Sequence, residues 1–286
     1  MTFCMSDLPS KAVIYSARLL DCWNEVGTTL ARLRIYLTGH VLIEHGALRV
    51  DEPQLPGRQG RLAFVFLATT RMRRVTRGEL AAAVWGELPP PELESALNAI
   101  LSKLRTVLRQ VGLTPSEACI ETRSGSVGLR LPADAWTDLE DAVNAVDEAE
   151  GAMRRGDVGG AWGSANVAVA VGRRPFLSDF EAPWIEARRA ALRALLVRAL
   201  ACLAAVSRIN GEPSLAIQYT SEILDLEPFR ETAYQELMRL HAASGNRAEA
   251  LRVFARCREL LRDELGTSPS PLTEAVFLEI LRDGSA

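Results

Sequence analysis

Residues 76–111 read TRGELAAAVWGELPPPELESALNAILSKLRTVLRQV, and two helical periods within them decide the fold. Thr76 stands three residues before Glu79, the spacing at which each side chain accepts from the other residue's backbone N–H, so a short helix is expected to start there. It runs through Leu80 and Val84 to Trp85. Pro89, Pro90 and Pro91 end it, because proline is tolerated in a first helical turn but not inside a helix. From there Leu93, Leu97, Ile100, Leu101, Leu104, Leu108 and Val111 recur at helical spacing as one apolar stripe. Ser95, Asn98, Ser102, Arg105, Thr106 and Arg109 fall on the opposite, polar face.

Upstream, Leu33, Ile35 and Leu37 alternate with polar neighbours, and Val41 and Ile43 continue after Gly39, which predicts one or two half-buried strands. Leu62, Val65, Phe66 and Ala68 share one face of a further helix that reaches about Thr70. Downstream, residues 120–131 read as two short strands around Ser124, Gly125 and Ser126, flanked by Arg123 and Arg130. A small sheet, three helices and a terminal hairpin is the order of a winged helix. Its polar-faced third helix suits the major groove of double-stranded DNA, and hairpin arginines suit the neighbouring minor groove or phosphates.

Residues 33–131, with ELAAAVWGELPP at 79–90, SKLR at 102–105 and IETRSGS at 120–126, resemble the OmpR-type winged helix of the Streptomyces antibiotic regulatory protein (SARP) family. The resemblance implies a transcriptional activator that binds direct repeats in promoter DNA as a homodimer, at least on DNA, and helps to recruit RNA polymerase holoenzyme. Its implied DNA contacts are Lys103 and Arg105, then Asn98, Arg123 and Arg130, then Arg77, Ser95 and Ser102. This chain departs from the family pattern on that face. Glu94 and Ser95 stand where the family usually has Arg and Asn, and Glu92 adds another acid. Asn98 and Lys103 stand for the usual Gln and Arg, and Leu129 replaces a tyrosine in the hairpin. Carboxylates facing phosphate oppose binding, although Glu also accepts from cytosine N4, so both an altered operator and lost DNA binding are compatible with these residues.

From Trp136 the pattern is helical almost throughout. GDVGGA at 156–161, GEPSLA at 211–216 and GNRAEA at 245–250 share a glycine followed five residues later by alanine, and the last two glycines are one tetratricopeptide period apart. The glycine ends a helix in a left-handed conformation, and the small alanine lets the next helix pack closely on its partner. APWIEARR at 182–189, EPFRE at 227–231, SGNRAEAL at 244–251 and ELGTSPSPL at 264–272 resemble the bacterial transcriptional activator domain that accompanies the SARP winged helix. In that family the domain mediates dimerisation and contacts other proteins. Arg188, Arg189 and Arg230 are expected to be structural. The expected fold class is mainly α: a winged helix-turn-helix followed by an all-α, tetratricopeptide-like solenoid. The expected boundaries are an N-terminal extension over 1–32, helical or disordered, the winged helix over 33–132 and the activator domain over 133–286.

A chain of 286 residues, 48% hydrophobic and 24% charged, suits two globular domains. Its net charge of −3 conceals a contrast. Residues 34–132 hold 13 Lys and Arg against 9 Asp and Glu, a net of +4, whereas residues 133–286 hold 17 against 24, a net of −7. Only the first part is expected to meet phosphate. No export signal is legible at the start, and the richest apolar stretch, residues 190–206, is interrupted by Arg193 and Arg198, so a cytoplasmic protein without membrane contact is expected. Five scattered cysteines, never paired as C-x-x-C, predict reduced thiols rather than disulfides or zinc. No phosphate-binding G-x-x-x-x-G-K-[ST] loop, histidine cluster or triad appears, so no enzyme activity and no cofactor or metal is expected. The alternative reading is a repeat-based protein-interaction adaptor whose winged helix is degenerate.

Overall fold

The computed structural model describes residues 32–283, so the readings placed on residues 1–31, Cys4 and Cys22 included, lie outside the described residues. Strand β1 (Leu33–Tyr36) pairs antiparallel with β2 (Leu42–His45), Ile35 opposite Ile43, and β2 pairs with β3 (Leu48–Asp51). Helix α1 (Gly57–Thr69) follows, then β4 (Val75–Thr76), α2 (Arg77–Trp85) and α3 (Leu93–Gln110). The hairpin β5 (Cys119–Arg123) and β6 (Ser126–Arg130) adds β4 to form a second sheet in the order β4-β6-β5. This is a winged helix.

Local chemistry explains the elements. The Thr76 hydroxyl accepts from the Glu79 N–H at 3.0 Å and the Glu79 carboxylate accepts from the Thr76 N–H at 2.7 Å, the reciprocal cap expected for α2. Leu97, Leu101, Leu104, Val107 and Leu108 bury the apolar side of α3. At the hairpin tip Ser124 and Gly125 both take positive φ, +49° and +75°, the two-residue turn whose twist matches the flanking strands. The family's tyrosine position, Leu129, is buried in the core. Strands β3 and β4 and a further strand, β7 (Trp136–Thr137), are additions to the sequence reading. Strands β4 and β7, two residues each, are too short to alternate, and β3 buries only Val50 of its four residues.

The C-terminal part forms helix pairs: α4 (Asp138–Arg155) with α5 (Val158–Gly172), α6 (Pro183–Ile209) with α7 (Pro213–Leu226), and α8 (Glu231–Ala243) with α9 (Arg247–Leu265), closed by α10 (Pro271–Asp283). Gly156, Gly211 and Gly245 take φ of +76°, +73° and +74° at the turns within the three pairs. Ala161, Ala216 and Ala250, five residues on, are fully buried. The all-α, tetratricopeptide-like architecture thus rests on the glycine–alanine repeat. Helix α6 is long and apolar enough, by length and composition, to cross a bilayer, but 61% of its apolar window is buried inside the fold. Arg198, within it, is bonded to Glu150 and Asp147. Cys202 and Cys257 are buried free thiols and Cys119 is half-buried, and burial pushes the Cys257 thiol up to about 11.

The two parts share one core. Phe176, Leu177, Phe180, Ile185 and Leu192 join the same apolar cluster as Ile35, Phe64, Leu80, Leu101 and Leu129. Strand β7 runs parallel beside β1, Ile35 opposite Thr137, and places Asp138 at the end of β1. There its fully buried carboxylate accepts from the Leu37 N–H at 2.9 Å, the Thr38 N–H at 2.9 Å and the Thr38 hydroxyl at 2.7 Å. Burial pushes the Asp138 carboxyl up, and these donors pull it back. The APWIEARR run is the other half of the joint. Trp184 packs edge-on against Phe66, centroids 5.2 Å apart, and donates to the Ala83 carbonyl at 3.1 Å. Arg188 reaches the Thr69 carbonyl at 3.4 Å. Arg189 donates to the carbonyls of Phe176 (3.0 Å), Leu177 (2.5 Å) and Phe180 (3.0 Å). These bonds hold Leu177 at φ +46°, a conformation that costs a non-glycine residue on the order of 1 kcal/mol.

Asp138→Ala would leave the buried N–H groups of Leu37 and Thr38 without an acceptor, so a loss of about 2–4 kcal/mol is expected in urea denaturation. A change below about 0.5 kcal/mol would show that the joint does not depend on this carboxylate.

Candidate nucleic-acid interface

The polar face of α3 remains open. Ser95, Asn98, Ser102, Lys103, Thr106 and Arg109 are all exposed. At about 100° per residue, Lys103 and Arg105 lie on opposite flanks of this face. Lys103 has no hydrogen-bond or ion-pair partner among the described residues, so its ammonium is free. Arg109, one residue before α3 ends, donates to the Thr106 hydroxyl at 2.9 Å and exposes the rest of its guanidinium. It lies on the predicted polar face and belongs with the candidate residues. The signal for it was its position in the helical period.

Arg105 turns inward toward the hairpin. Its Nε donates to the Ile120 carbonyl at 3.0 Å and its second nitrogen to the Thr122 hydroxyl at 2.9 Å, so it bolts α3 to β5. Arg130 is held likewise. It donates to Glu121 at 2.8 Å, to the carbonyls of Ser116 and Pro115 at 2.6 and 2.7 Å, and to the Cys119 sulfur at 3.3 Å. Glu121 also pairs with Arg74, and its carboxyl sits below the usual range, first through the Arg130 hydrogen bond. Arg123, at the end of β5 beside the turn, is exposed, and no partner for its guanidinium exists among the described residues.

Arg77, the first residue of α2, reaches across to α3. One guanidinium nitrogen lies 2.6 Å from the Glu94 carboxylate and donates to the Asn98 Oδ1 at 2.9 Å. The acid at the start of the helix is therefore neutralised from within the domain, and Glu92 is exposed. Among the described residues the surface thus carries Lys103 on α3 and Arg123 on the hairpin with no side-chain partner, and Arg109 with only the Thr106 hydroxyl, while the hydroxyls of Ser95 and Ser102 and the amide of Asn98 are exposed on α3. Two further cations of the domain are matched by acids, Arg73 with Glu79 at 3.0 Å and Arg74 with Glu121. Among the described residues no group of His, Cys, Asp and Glu could hold a metal ion.

Residues 137–281 match the family described as the bacterial transcriptional activator domain. The regulatory protein AfsR of Streptomyces coelicolor is 30% identical over 224 residues, covering 78% of this chain and 22% of AfsR. The transcriptional regulatory protein EmbR of Mycobacterium tuberculosis is 26% identical over 223 residues, covering 78% of this chain and 57% of EmbR. A solved structure of Mycobacterium tuberculosis EmbR, in complex with a low-affinity phosphopeptide, matches with a TM-score of 0.78 at 25% identity, over 88% of this chain and 66% of that one. The chain thus spans a minor part of AfsR and little more than half of EmbR.

The geometry separates two kinds of cation on this surface. Arg105→Ala should lower stability by about 1–2 kcal/mol through the lost bonds to β5, whereas Lys103→Ala should stay within about 0.5 kcal/mol of the parent in the same denaturation measurement. Equal stability of the two variants would contradict the bolt between α3 and the hairpin.

Proposed function

The chain belongs to the SARP family of bacterial transcriptional activators that carry the bacterial transcriptional activator domain, and we propose that it is a sequence-specific DNA-binding activator acting on repeated sites in promoters. The observation that carries this reading is the pairing of the open polar face of α3 with a hairpin that presents Arg123, the two held in one frame by Arg105. Helix α3 enters the major groove, which admits a single helix. Ser95, Asn98 and Ser102 face base edges, Lys103 and Arg109 meet phosphates on the flanks, and Arg123 reaches the next minor groove or its backbone. Arg77, Arg105 and Arg130 shape this surface and add long-range positive charge to it.

The helical repeats, with their net charge of −7 over residues 133–286, turn away from DNA and offer an acidic surface to basic faces of RNA polymerase holoenzyme. Two copies occupy the two repeats of one site, so the protein works as a homodimer on DNA, in the cytoplasm.

Footprinting and titration on the promoters of its own gene neighbourhood test the reading. Protection of tandem repeats is expected, with an affinity that falls as salt rises. Lys103→Ala and Arg123→Ala should each reduce the slope of log affinity against log salt by about one and weaken all duplexes alike. A protein that binds no promoter, or whose binding ignores salt, is instead a repeat-based adaptor.

A further inference from the structure

Arg77 is costly where it stands. The N-terminus of a helix carries partial positive charge and disfavours a cation, and the Arg77 Nε is buried without a hydrogen-bond partner. Its side chain is only 16% exposed, too enclosed to lie along a phosphate backbone. What it does achieve lies on α3. One nitrogen is shared between the Glu94 carboxylate, at 2.6 Å, and the Asn98 Oδ1, at 2.9 Å. Glu94 and Asn98 are one turn apart on the same face, so the guanidinium is a fixed prop behind both.

The consequence concerns the Asn98 amide. An asparagine reads adenine by using both ends at once, its oxygen accepting from N6 and its nitrogen donating to N7. Asn98 is exposed and its Oδ1 is turned to Arg77, while the NH2 group at the other end of the amide has no partner among the described residues. An amide whose oxygen is tied to Arg77 and whose NH2 end is free matches guanine, whose O6 and N7 are both acceptors, better than adenine, whose N6 is a donor. We propose that Arg77 is a specificity-determining positioning residue that makes Asn98 a reader of guanine in the major groove. Glu94, held by the same nitrogen, keeps Oε1 free and accepts from a nearby cytosine N4. The inference rests on the proposed DNA binding by α3.

Selection from a pool of randomised duplexes, with the full chain, tests it. The parent protein should enrich one guanine position per repeat, favoured over adenine by about tenfold or more. In Arg77→Met that preference should fall to within about twofold or reverse to adenine, because Oδ1 is released, with positions other than those read by Asn98 and Glu94 unchanged. Asn98→Asp, which keeps a partner for Arg77 but presents only acceptors, should replace the same guanine by cytosine, and it tests the donor role even if Arg77→Met fails to fold. An unchanged guanine in a folded Arg77→Met variant overturns the role of Arg77 while leaving DNA binding intact. So does a uniform loss of affinity with an unaltered motif. A parent protein that enriches no sequence overturns the proposed function and this inference together.

Discussion

A carboxylate with no access to water has to find its donors inside the protein, and Asp138 finds three of them at the end of β1. That requirement sets where the helical repeats begin. To bring Asp138 beside Leu37 and Thr38, the chain leaving the hairpin must run along β1, and it does so as β7. Helix α4 then starts from a fixed point, with Thr137 accepting from the Glu140 N–H at 3.3 Å and Arg71 of the winged helix bonded to Glu140 at 2.7 and 2.5 Å. The loop before α6 is secured on the same side. Arg58 and Arg61 lie over the Phe180 ring, 4.0 and 4.2 Å from its centroid, and the Gly39 N–H donates to the Pro175 carbonyl at 2.7 Å. A common core lies beneath these bonds and joins the winged helix to the start of the helical part.

Charge follows the same logic of internal partners. A count over residues 34–132 finds an excess of cations, but the structure matches many of them to acids or carbonyls of the same domain. Glu121 alone holds Arg74 and Arg130, and Glu94 holds Arg77. Net charge still shapes the long-range field, while direct contacts depend on which cations keep free donors. Lys103 and Arg123 do. Paired arginines serve precision instead, since a planar guanidinium with several fixed donors can join two elements at a set distance, as Arg105 joins α3 to β5.

The acids at the start of α3 acquire a different meaning in this light. Seen in sequence, Glu94 is a charge that opposes DNA. In the structure it is half of an ion pair whose other half comes from α2, seventeen positions earlier, and which also fixes a neighbouring amide. No local rule reveals such a pairing, because the distance between α2 and α3 is set by the apolar side of α3, not by the polar residues that profit from it.

Much of this protein was legible from its residues alone. The apolar stripe of α3, the cap at Thr76 and Glu79, the hairpin around Ser124, Gly125 and Ser126 and the recurrence of Gly156, Gly211 and Gly245 with their alanines are local patterns, and local patterns follow from backbone geometry and side-chain shape. They determined a winged helix followed by helical repeats. Tertiary structure alone decided the short strands β3, β4 and β7, the common core, the burial of Asp138 and the inward turn of Arg77, Arg105 and Arg130. Each depends on groups far apart in the chain, such as Asp138 and Thr38, a hundred residues apart, whose meeting is chosen by the packing of whole elements. The sequence named the polar residues of the candidate interface, and packing divided them into those bonded within the domain and those with free donors.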